Sequence, residues 1–308
     1  MKEWTSLFAR KLRAHRVDNG SHGRMTQEEL AVLLEVSVDA ISKYERSLSF
    51  IRGDLEHQLT EKLGWSREDV IACRADWDAA RSGRPVSLYR LLNNTEVLEA
   101  FGGSAFAVSQ AVADMETQLS EGLPSGFSAA DKVWCDVQAA GLLSGPYVLE
   151  GDKMVGHVGM IFPGKRLEQR FFRRRFDEAE LTPDLLKRPL LPGRYFCYCP
   201  AIYVARGHEA ASRLLLSGFV TALEELVDRD ILVREIGAIS VNSLGWQLCE
   251  DLGLRYLGQH DRYGTFGVWT MPGPDIAKSL LGRRSQKLRD AYRGADISGL
   301  AVTKETSN

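Results

Sequence analysis

The sequence predicts a multidomain protein in which an all-α bundle precedes a mixed α/β domain. Over the first 81 residues, apolar side chains recur at intervals of three and four residues, which is the spacing of amphipathic helices. From residue 128 onward, short runs rich in β-branched and aromatic residues alternate with helical stretches, as in a sheet covered by helices. These patterns divide the chain into four segments: residues 1–81, 82–127, 128–273 and 274–308.

Length and composition fit an ordinary globular protein with room for two domains. The chain has 308 residues, of which 44% are hydrophobic and 26% are charged. Its formal net charge of −2 excludes general coating of nucleic acid, but it allows specific contact through one small face. No run reaches the roughly 18 apolar residues that cross a bilayer, and the N-terminal segment lacks the core of a signal peptide. We expect a cytoplasmic protein that does not bind membranes.

The cysteines and histidines predict no metal site. Five cysteines, an odd number without a CxxC pair, suit a reducing compartment. Cys197 and Cys199 are two residues apart in a predicted strand, so they share one face and are expected to pack. His157 also lies within a predicted strand, where we expect a core or surface residue. The histidines suggest no serine-histidine-aspartate grouping, so we assign no catalytic residue from the sequence.

Five helices are predicted in the first segment, with limits near residues 3–18, 26–34, 38–46, 53–63 and 66–81. The second and third form a close pair. Thr26 is a hydroxyl N-cap with Glu29 three residues later, which is the spacing of a capping box. Ser37 is a second hydroxyl cap, placed directly before the next apolar stripe. The sequence therefore predicts two short helices joined by a tight turn.

The stretch TQEELAVLLEVSVDAISKYER resembles the helix-turn-helix of the lambda-repressor-like family, also called the XRE or Cro family. The family pattern is roughly T-Q-x-x-L-A-x-x-x-G-V-S-x-x-x-I-S-x-x-E, and the match is near complete over the helix pair. Flanking helices extend it to about residues 3–75. One departure is Glu35, which stands where the family most often has the glycine of the turn. The resemblance implies binding of double-stranded DNA.

The resemblance also implies roles for single residues. Gln27 would contact a phosphate from the start of the first helix. Val38, Asp39 and Lys43 would face base edges, because they suit a thymine methyl, a cytosine amino group and guanine acceptors. The full set of predicted DNA-facing residues is Gln27, Ser37, Val38, Asp39, Ser42, Lys43 and Arg46, with Ser42 and Arg46 assigned to the backbone. Lys11, Arg13 and Arg16 of the first helix are further candidate phosphate contacts.

We expect a homodimer on an inverted-repeat operator, with half-sites about 34 Å apart. The alternative reading is a structural bundle whose polar face is only solvated. Residues 86–121 are predicted to be helical, and this connector is either a dimer contact or a spacer packed on the next domain.

The third segment alternates helices and strands. The predicted elements are a helix over 129–142, strands over 147–149, 154–162 and 195–204, a helix over 209–227, a strand over 236–241, a helix over 243–252, and strands over 254–259 and 266–271. This order predicts a mixed α/β sheet.

Two stretches of this segment resemble GNAT acyltransferases. AIYVARGHEAASRLLLSGFV, at 201–220, is similar to that family's strand-turn-helix. VNSLGWQLCEDLGLRYLG, at 241–258, is similar to the family segment N-x-x-S/A-x-x-L-Y-E-x-L-G-F. The resemblance covers about residues 128–272. It implies a fold in which the turn before the long helix holds the pyrophosphate of coenzyme A through backbone N–H groups.

Two positions that matter for cofactor binding and catalysis differ from the GNAT family pattern. Glu209 replaces the middle glycine of the turn, where a carboxylate would repel a pyrophosphate. Cys249 stands where the family commonly has a tyrosine that protonates the leaving thiolate. We therefore expect acetyl transfer to have been lost and no cofactor to be required, with acyl-CoA kept as a candidate ligand. The candidate ligand-binding residues are Val204, Arg206, Gly207, His208, Ala211 and Asn242.

Three other features have two readings each. The run over 165–175, KRLEQRFFRRR, is either an anion-binding surface or an exposed loop or edge strand neutralised by nearby acids. The stretch over 278–293 is a basic amphipathic helix that docks on its own domain or on a partner subunit. Four aromatic residues near the last strands either line a pocket or belong to the core: Tyr256, His260, Tyr263 and Trp269.

The function that these observations favour is a sequence-specific transcriptional regulator whose GNAT-like domain serves as a sensor or a dimerisation platform. The alternative is a DNA-targeted, acyl-CoA-dependent N-acyltransferase. A further alternative is an antitoxin or phage-type repressor. The first two allow a small-molecule effector, and the third implies a protein partner.

Overall fold

The computed structural model describes residues 5–19, 24–82, 89–117, 124, 126–187 and 189–293. The chain divides into two compact units, Met1–Tyr89 and Arg90–Asn308. The turn-rich stretches 82–85 and 121–127 predict breaks between segments, and residues 294–308 predict a loose tail; the breaks lie largely, and the tail wholly, outside the described residues. None of the described helices has the length and apolar character needed to cross a membrane.

The first unit is helical over its described residues up to 82. Its helices are α1 (Leu7–Asp18), α2 (Gln27–Leu33), α3 (Val38–Glu45), α4 (His57–Leu63) and α5 (Arg67–Ser82), with a short 3-10 turn at Gly53–Leu55. Ser6 begins α1 by accepting a hydrogen bond from the Ala9 N–H, and Thr26 with Glu29 forms the predicted capping box of α2. Ser37 caps α3. The apolar faces meet in one core that includes Phe8, Leu12, Leu30, Ile41 and Leu59.

A buried ion pair joins the first three helices. Arg16 donates to both carboxylate oxygens of Glu45, at 2.6 and 3.2 Å, and Gln27 donates to the same carboxylate at 2.7 Å. Burial raises the pKa of Glu45, but hydrogen bonds from Arg16 and Gln27 outweigh it, so the pKa is lowered. Removal of one partner from a buried pair costs about 3–5 kcal/mol, and this network therefore fixes how α1, α2 and α3 meet.

The turn between α2 and α3 has four residues, 34–37. Glu35 takes a left-handed conformation with φ of 53°, at the position where glycine was the expected residue. A non-glycine residue in this region costs roughly 1 kcal/mol, which one turn tolerates.

The second unit contains two four-stranded sheets. The strands are β1 (Tyr89–Leu92), β2 (Tyr147–Glu150), β3 (Lys153–Val158), β4 (Gly193–Cys199), β5 (Ile202–Val204), β6 (Ile231–Ser240), β7 (Arg255–Gln259) and β8 (Gly267–Pro272). One sheet has the order β1-β2-β3-β5 and the other β4-β6-β8-β7. β4 and β6 pair in parallel, whereas β2–β3, β3–β5, β6–β8 and β7–β8 are antiparallel. The predicted mixed α/β sheet is confirmed.

Helices surround these sheets. They are α6 (Asn94–Ala100), α7 (Ala105–Thr117), α8 (Asp131–Ala139), α9 (Lys165–Phe172), α10 (Ala211–Asp228), α11 (Ser243–Leu252), α12 (Gly273–Ile276), α13 (Leu280–Arg283) and α14 (Gln286–Tyr292), with 3-10 turns at Glu178–Glu180 and Pro183–Leu185. The long helix α10 contacts β2, β3 and β6, so it spans both sheets. On α10, an added Cβ at Gly218 would lie 2.6 Å from Leu91, which shows how closely β1 packs there.

Two predicted elements differ from the structure. Residues 89–92 form a strand rather than a helix, because pairing with β2 and packing on Gly218 outweigh the helical pattern of their leucines. The run over 165–175 is not a loop or edge strand but begins with helix α9, whose Leu167 and Phe171 are buried one turn apart. Residues 90–117 belong to the second compact unit, which agrees with the alternative of a spacer packed on the next domain.

The predicted basic helix over 278–293 is broken into short helices. Ser279 and Ser285 each cap a new helix, by accepting from the N–H groups of Leu281 and Leu288. The last helix docks on its own unit, because the buried Tyr292 hydroxyl accepts a hydrogen bond from the Val233 N–H at 2.8 Å.

Gly237 sets the distance between β6 and α9. An added Cβ would lie 2.6 Å from Phe171 Cζ and 2.7 Å from Phe196 Cζ. We expect Gly237→Ala to lower the free energy of unfolding of the second unit by about 1–3 kcal/mol, the usual cost of overpacking. Urea denaturation measures the change. Gly264→Ala is the control, since nothing lies within 4 Å of its added Cβ; equal effects of the two substitutions would contradict this packing.

Candidate functional site

β4 and β5 follow each other in the chain but belong to different sheets. β4 pairs with β6 in parallel up to Cys199, and after a break at residues 200–201, β5 pairs with β3. The pairing of β4 with β6 ends at Cys199 and Ala238, although β6 continues to Ser240. β5 and the carboxyl end of β6 therefore part. Ligands of α/β sheets commonly bind outside the carboxyl ends of strands, where neighbours separate.

Two acidic side chains with raised pKa values lie near this break. The Tyr198 hydroxyl, on β4, donates a hydrogen bond to Glu178 at 2.6 Å. Burial raises the pKa of Glu178 to about 8; the charge of Glu116 adds to this, and the Tyr198 hydrogen bond opposes it. Burial raises the pKa of Glu116, near the end of α7, to about 7. Carboxyl groups that titrate near neutral pH are suited to accept or donate protons in catalysis.

Tyr203, on β5, adds a hydroxyl to the same region. Within the described residues its buried oxygen has no hydrogen-bond partner. Its pKa is raised by burial; Arg206 lowers it and Glu116 raises it, so both charges lie nearby. Because buried hydroxyls normally have partners, this atom is suited to contact a polar group of a ligand.

Three thiols lie at the same end of β4. Cys197, Cys199 and Cys249 are all buried and free of disulfides. Burial raises the pKa of Cys249 to about 12, so the thiol stays protonated at neutral pH and is a weak acid. The hydrogen bond with Cys199 and burial raise the pKa of Cys197. Within the described ranges, no three His, Cys, Asp or Glu side chains form a metal-binding group.

The turn between β5 and α10 contains the residues that were expected to bind a pyrophosphate. Gly207 has φ of 82°, and its N–H donates to the carboxylate of Glu209 at 2.9 Å. The N–H groups of His208 and Ala211 donate to the carbonyls of Ala205 and His208. These N–H groups are thus bonded within the chain. The His208 ring also lies 3.5 Å from the carboxylate of Glu150.

Five of the six predicted ligand-binding residues gather here, from Val204 at the end of β5 to Ala211 at the start of α10. The sixth, Asn242, lies after β6, where its side chain accepts from the Gly245 N–H at 2.9 Å and caps α11. It borders an open recess of about 490 Å³. The recess is lined by Val241, Asn242, Ser243, Trp246, Gln247, Glu250 and Thr265.

The four aromatic residues near the last strands form two groups rather than one pocket. Tyr256 and Trp269 pack with Trp246, at ring distances of 5.0–5.2 Å. His260 and Tyr263 pack with Phe127. His260 Nδ1 lies 3.3 Å from the N–H groups of Arg262 and Tyr263, and Nε2 lies 3.0 Å from the Phe176 carbonyl; this pattern fits a neutral ring protonated on Nε2.

His260 also borders a second open recess, of about 420 Å³, next to α9. The arginines around it are neutralised by acids: Arg170 pairs with Glu180, Arg175 with Asp261, and Arg262 with Asp177. The basic run therefore contributes less positive charge than its sequence indicates.

In the first unit, most predicted DNA-facing residues are exposed. Ser37, Val38, Asp39, Lys43 and Arg46 are exposed, and Ser42 is half-buried. Asp39 and Lys43 form an ion pair of 2.7 Å across one helical turn. The Gln27 amide instead donates to Glu45.

The candidate phosphate contacts on α1 are engaged within the unit. Arg16 is buried against Glu45, and Arg13 donates to the Glu45 carbonyl. Lys11 pairs with Asp69 at 2.6 Å.

No protein-family model matches the sequence, and no curated protein matches it significantly. Several solved structures are similar to this chain over part of its length. A putative GNAT acetyltransferase from Desulfovibrio desulfuricans is 13% identical, with a TM-score of 0.36 over 60% of this chain and 98% of that one. An N-acyl amino acid synthase from uncultured soil microbes is 11% identical, with a TM-score of 0.36 over 64% and 97%. An acetyltransferase from Thermus thermophilus is 14% identical, with a TM-score of 0.33 over 60% and 96%.

Sequence reasoning missed Glu116, Glu178, Tyr198 and Tyr203 as candidate site residues. Glu116 lies near the end of α7, whose buried side is otherwise mostly apolar, and this was a weak signal. Glu178 looked like one of several acids that balance the basic run. Its burial depends on packing with Tyr198, which the sequence does not reveal.

The raised pKa of Glu178 predicts a pH-dependent stability. Its pKa is about 8 in the fold and 4.5 ordinarily, so its contribution is full below about pH 4.5 and is lost as pH rises to about 8. We expect Glu178→Gln, which cannot ionise, to become more stable than the wild type over this range. Urea denaturation from pH 4 to 9 measures the difference. Glu225→Gln, on an exposed side chain, should show none; a pH-independent difference for Glu178→Gln would refute the raised pKa.

Proposed function

We propose that the second unit transfers an acyl group from a thioester to an amine. The observation that carries this proposal is the pair Glu116 and Glu178. Both carboxyl groups have pKa values near neutrality, and both lie near the place where β5 and β6 diverge. An amine must lose a proton as it attacks a thioester carbonyl, and a base with a pKa near the working pH is the most effective acceptor. The half-buried Glu116 is our candidate for this base, because it is closer to solvent than Glu178.

The residues of this site can account for the proton transfers of the reaction. The amine nitrogen attacks the carbonyl carbon, its proton passes to the Glu116 carboxylate, and the carbon–sulfur bond breaks to leave an amide and a thiolate. Cys249, with a pKa of about 12, is a weaker acid than an ordinary thiol of about 8.5, so proton donation from it is unfavourable. The protonated Glu116, with a pKa of about 7, returns the proton to the thiolate.

We also propose that the first unit binds double-stranded DNA. The supporting observation is a helix pair joined by a four-residue turn, with the start of α3 exposed. Asp39 and Lys43 lie side by side, and their chemistry suits the cytosine amino group and the guanine acceptors of one base pair. Two copies on an inverted repeat would place their α3 helices about 34 Å apart. The chain would then be a DNA-targeted N-acyltransferase.

A regulator whose second unit only senses a ligand is the second candidate. The observation that favours it is the bond between Glu209 and the Gly207 N–H, which occupies part of the turn that would hold a pyrophosphate. Thiol release separates the two candidates, because a sensor binds without turnover.

The acyl-transfer proposal predicts release of a free thiol. The full chain is incubated with acetyl thioesters and a mixture of amino acids, polyamines and a lysine peptide, and the thiol is followed by a colour reagent. We expect Glu116→Gln to lower kcat/KM by about 100-fold, the usual contribution of a general base, and the wild-type rate to rise through about pH 7. Glu225→Gln serves as control. Equal rates for Glu116→Gln and the control would exclude Glu116 as the base.

The DNA-binding proposal predicts selective effects of two substitutions. Bound sequences are first selected from random duplexes with the full chain. We then expect Lys43→Ala and Asp39→Ala each to relax the preference at one base pair, with a loss of about 1–3 kcal/mol for the preferred base. Lys11→Ala is the matched control, because Lys11 is already paired with Asp69. If both α3 variants select the wild-type sequence, α3 does not read bases.

A further inference from the structure

We propose that the acyl donor is recognised through its thioester arm and not through a nucleotide pyrophosphate. This inference rests on the acyl transfer proposed above and narrows its donor class. Such a donor is an acyl thioester of the pantetheine type, in which the arm that carries the sulfur makes the contacts. A pyrophosphate on the far end of the arm contributes no affinity.

The first observation is the anion already present in the turn. The Glu209 carboxylate accepts a hydrogen bond from the Gly207 N–H at 2.9 Å. Backbone N–H groups before a helix are the usual partners of phosphate oxygens. Here the Glu209 carboxylate already accepts from the Gly207 N–H, so a phosphate would have to displace this carboxylate.

The second observation is the state of the neighbouring N–H groups. His208 N–H donates to Ala205, Ala211 N–H to His208, and Ser212 N–H to Glu209, all through backbone carbonyls 2.8–3.1 Å away. The turn is therefore closed by its own short-range bonds. A phosphate approaching from solvent finds these donors already in use.

The third observation is the charge around the turn. Glu209 and Glu150 contribute two carboxylates, and the Glu150 carboxylate lies 3.5 Å from the His208 ring. Arg206 is the cation of the turn, and its charge acts on Tyr203. These carboxylates offset the cation, so a pyrophosphate here would gain little net attraction.

Glu209 itself gives a matched pair of variants. Glu209→Ala removes the carboxylate and frees the Gly207 N–H. Glu209→Gln removes the charge but keeps an oxygen that accepts from that N–H. The side chain is exposed, so neither substitution disturbs the core.

Two donors with the same thioester arm test the inference: acetyl-CoA, and S-acetyl-pantetheine, which lacks all phosphates. With the wild type we expect kcat/KM values within about threefold of each other. Glu209→Ala should raise kcat/KM for acetyl-CoA by about tenfold and leave S-acetyl-pantetheine unchanged, and Glu209→Gln should lie between. Thiol release is measured for all six combinations with the best acceptor of the amine mixture.

Two results would overturn the inference while acyl transfer stands: a wild-type preference of tenfold or more for acetyl-CoA, or no gain for acetyl-CoA in Glu209→Ala. Absence of thiol release from both donors would overturn the acyl transfer and this inference with it. Calorimetry with coenzyme A gives a readout without turnover. Tighter binding to Glu209→Ala than to the wild type supports the inference, and equal binding contradicts it.

Discussion

The site depends on one constraint: a single strand cannot satisfy its hydrogen bonds with two neighbours that diverge. β4 bonds to β6, β5 bonds to β3, and the break at residues 200–201 lets the chain change partners. Buried backbone N–H and C=O groups must be paired. Because the chain changes its partner strand at this break, these groups stay paired, and space opens between the two sheets. The long helix α10 closes this region by contacting strands of both sheets.

Packing around this break also explains the unusual acid–base character of the region. Glu178 is buried, and the Tyr198 hydroxyl on β4 donates a hydrogen bond to it. Burial without a cation disfavours the charged form, and this is the main reason that the pKa rises. By contrast, Glu45 in the first unit is also buried, but it accepts hydrogen bonds from Arg16 and Gln27, and its pKa is lowered. The hydrogen-bond partner, and not burial alone, decides whether the pKa of a buried carboxyl group rises or falls.

Local signals in the sequence predicted several element limits well. Thr26 and Ser37 marked the starts of α2 and α3, and the helix predicted over 243–252 agrees with α11. Signals that depend on distant partners failed. The spacing of the leucines in β1 predicted a helix, but pairing with β2 and packing on α10 make this segment a strand. Apolar periodicity predicted one helix over 278–293, but Ser279 and Ser285 each cap a separate helix. Glu209 was recognised as a departure, but its bond to the Gly207 N–H depends on the turn geometry.

In the first unit, the residues that hold the helices together are different from those that face outward on α3. Arg16, Glu45 and Gln27 form the network that joins α1, α2 and α3, whereas Val38, Asp39 and Lys43 make no part of it. Surface substitutions away from buried networks usually change stability by less than about 0.5 kcal/mol. The exposed positions can therefore be randomised together in a library while the bundle stays folded.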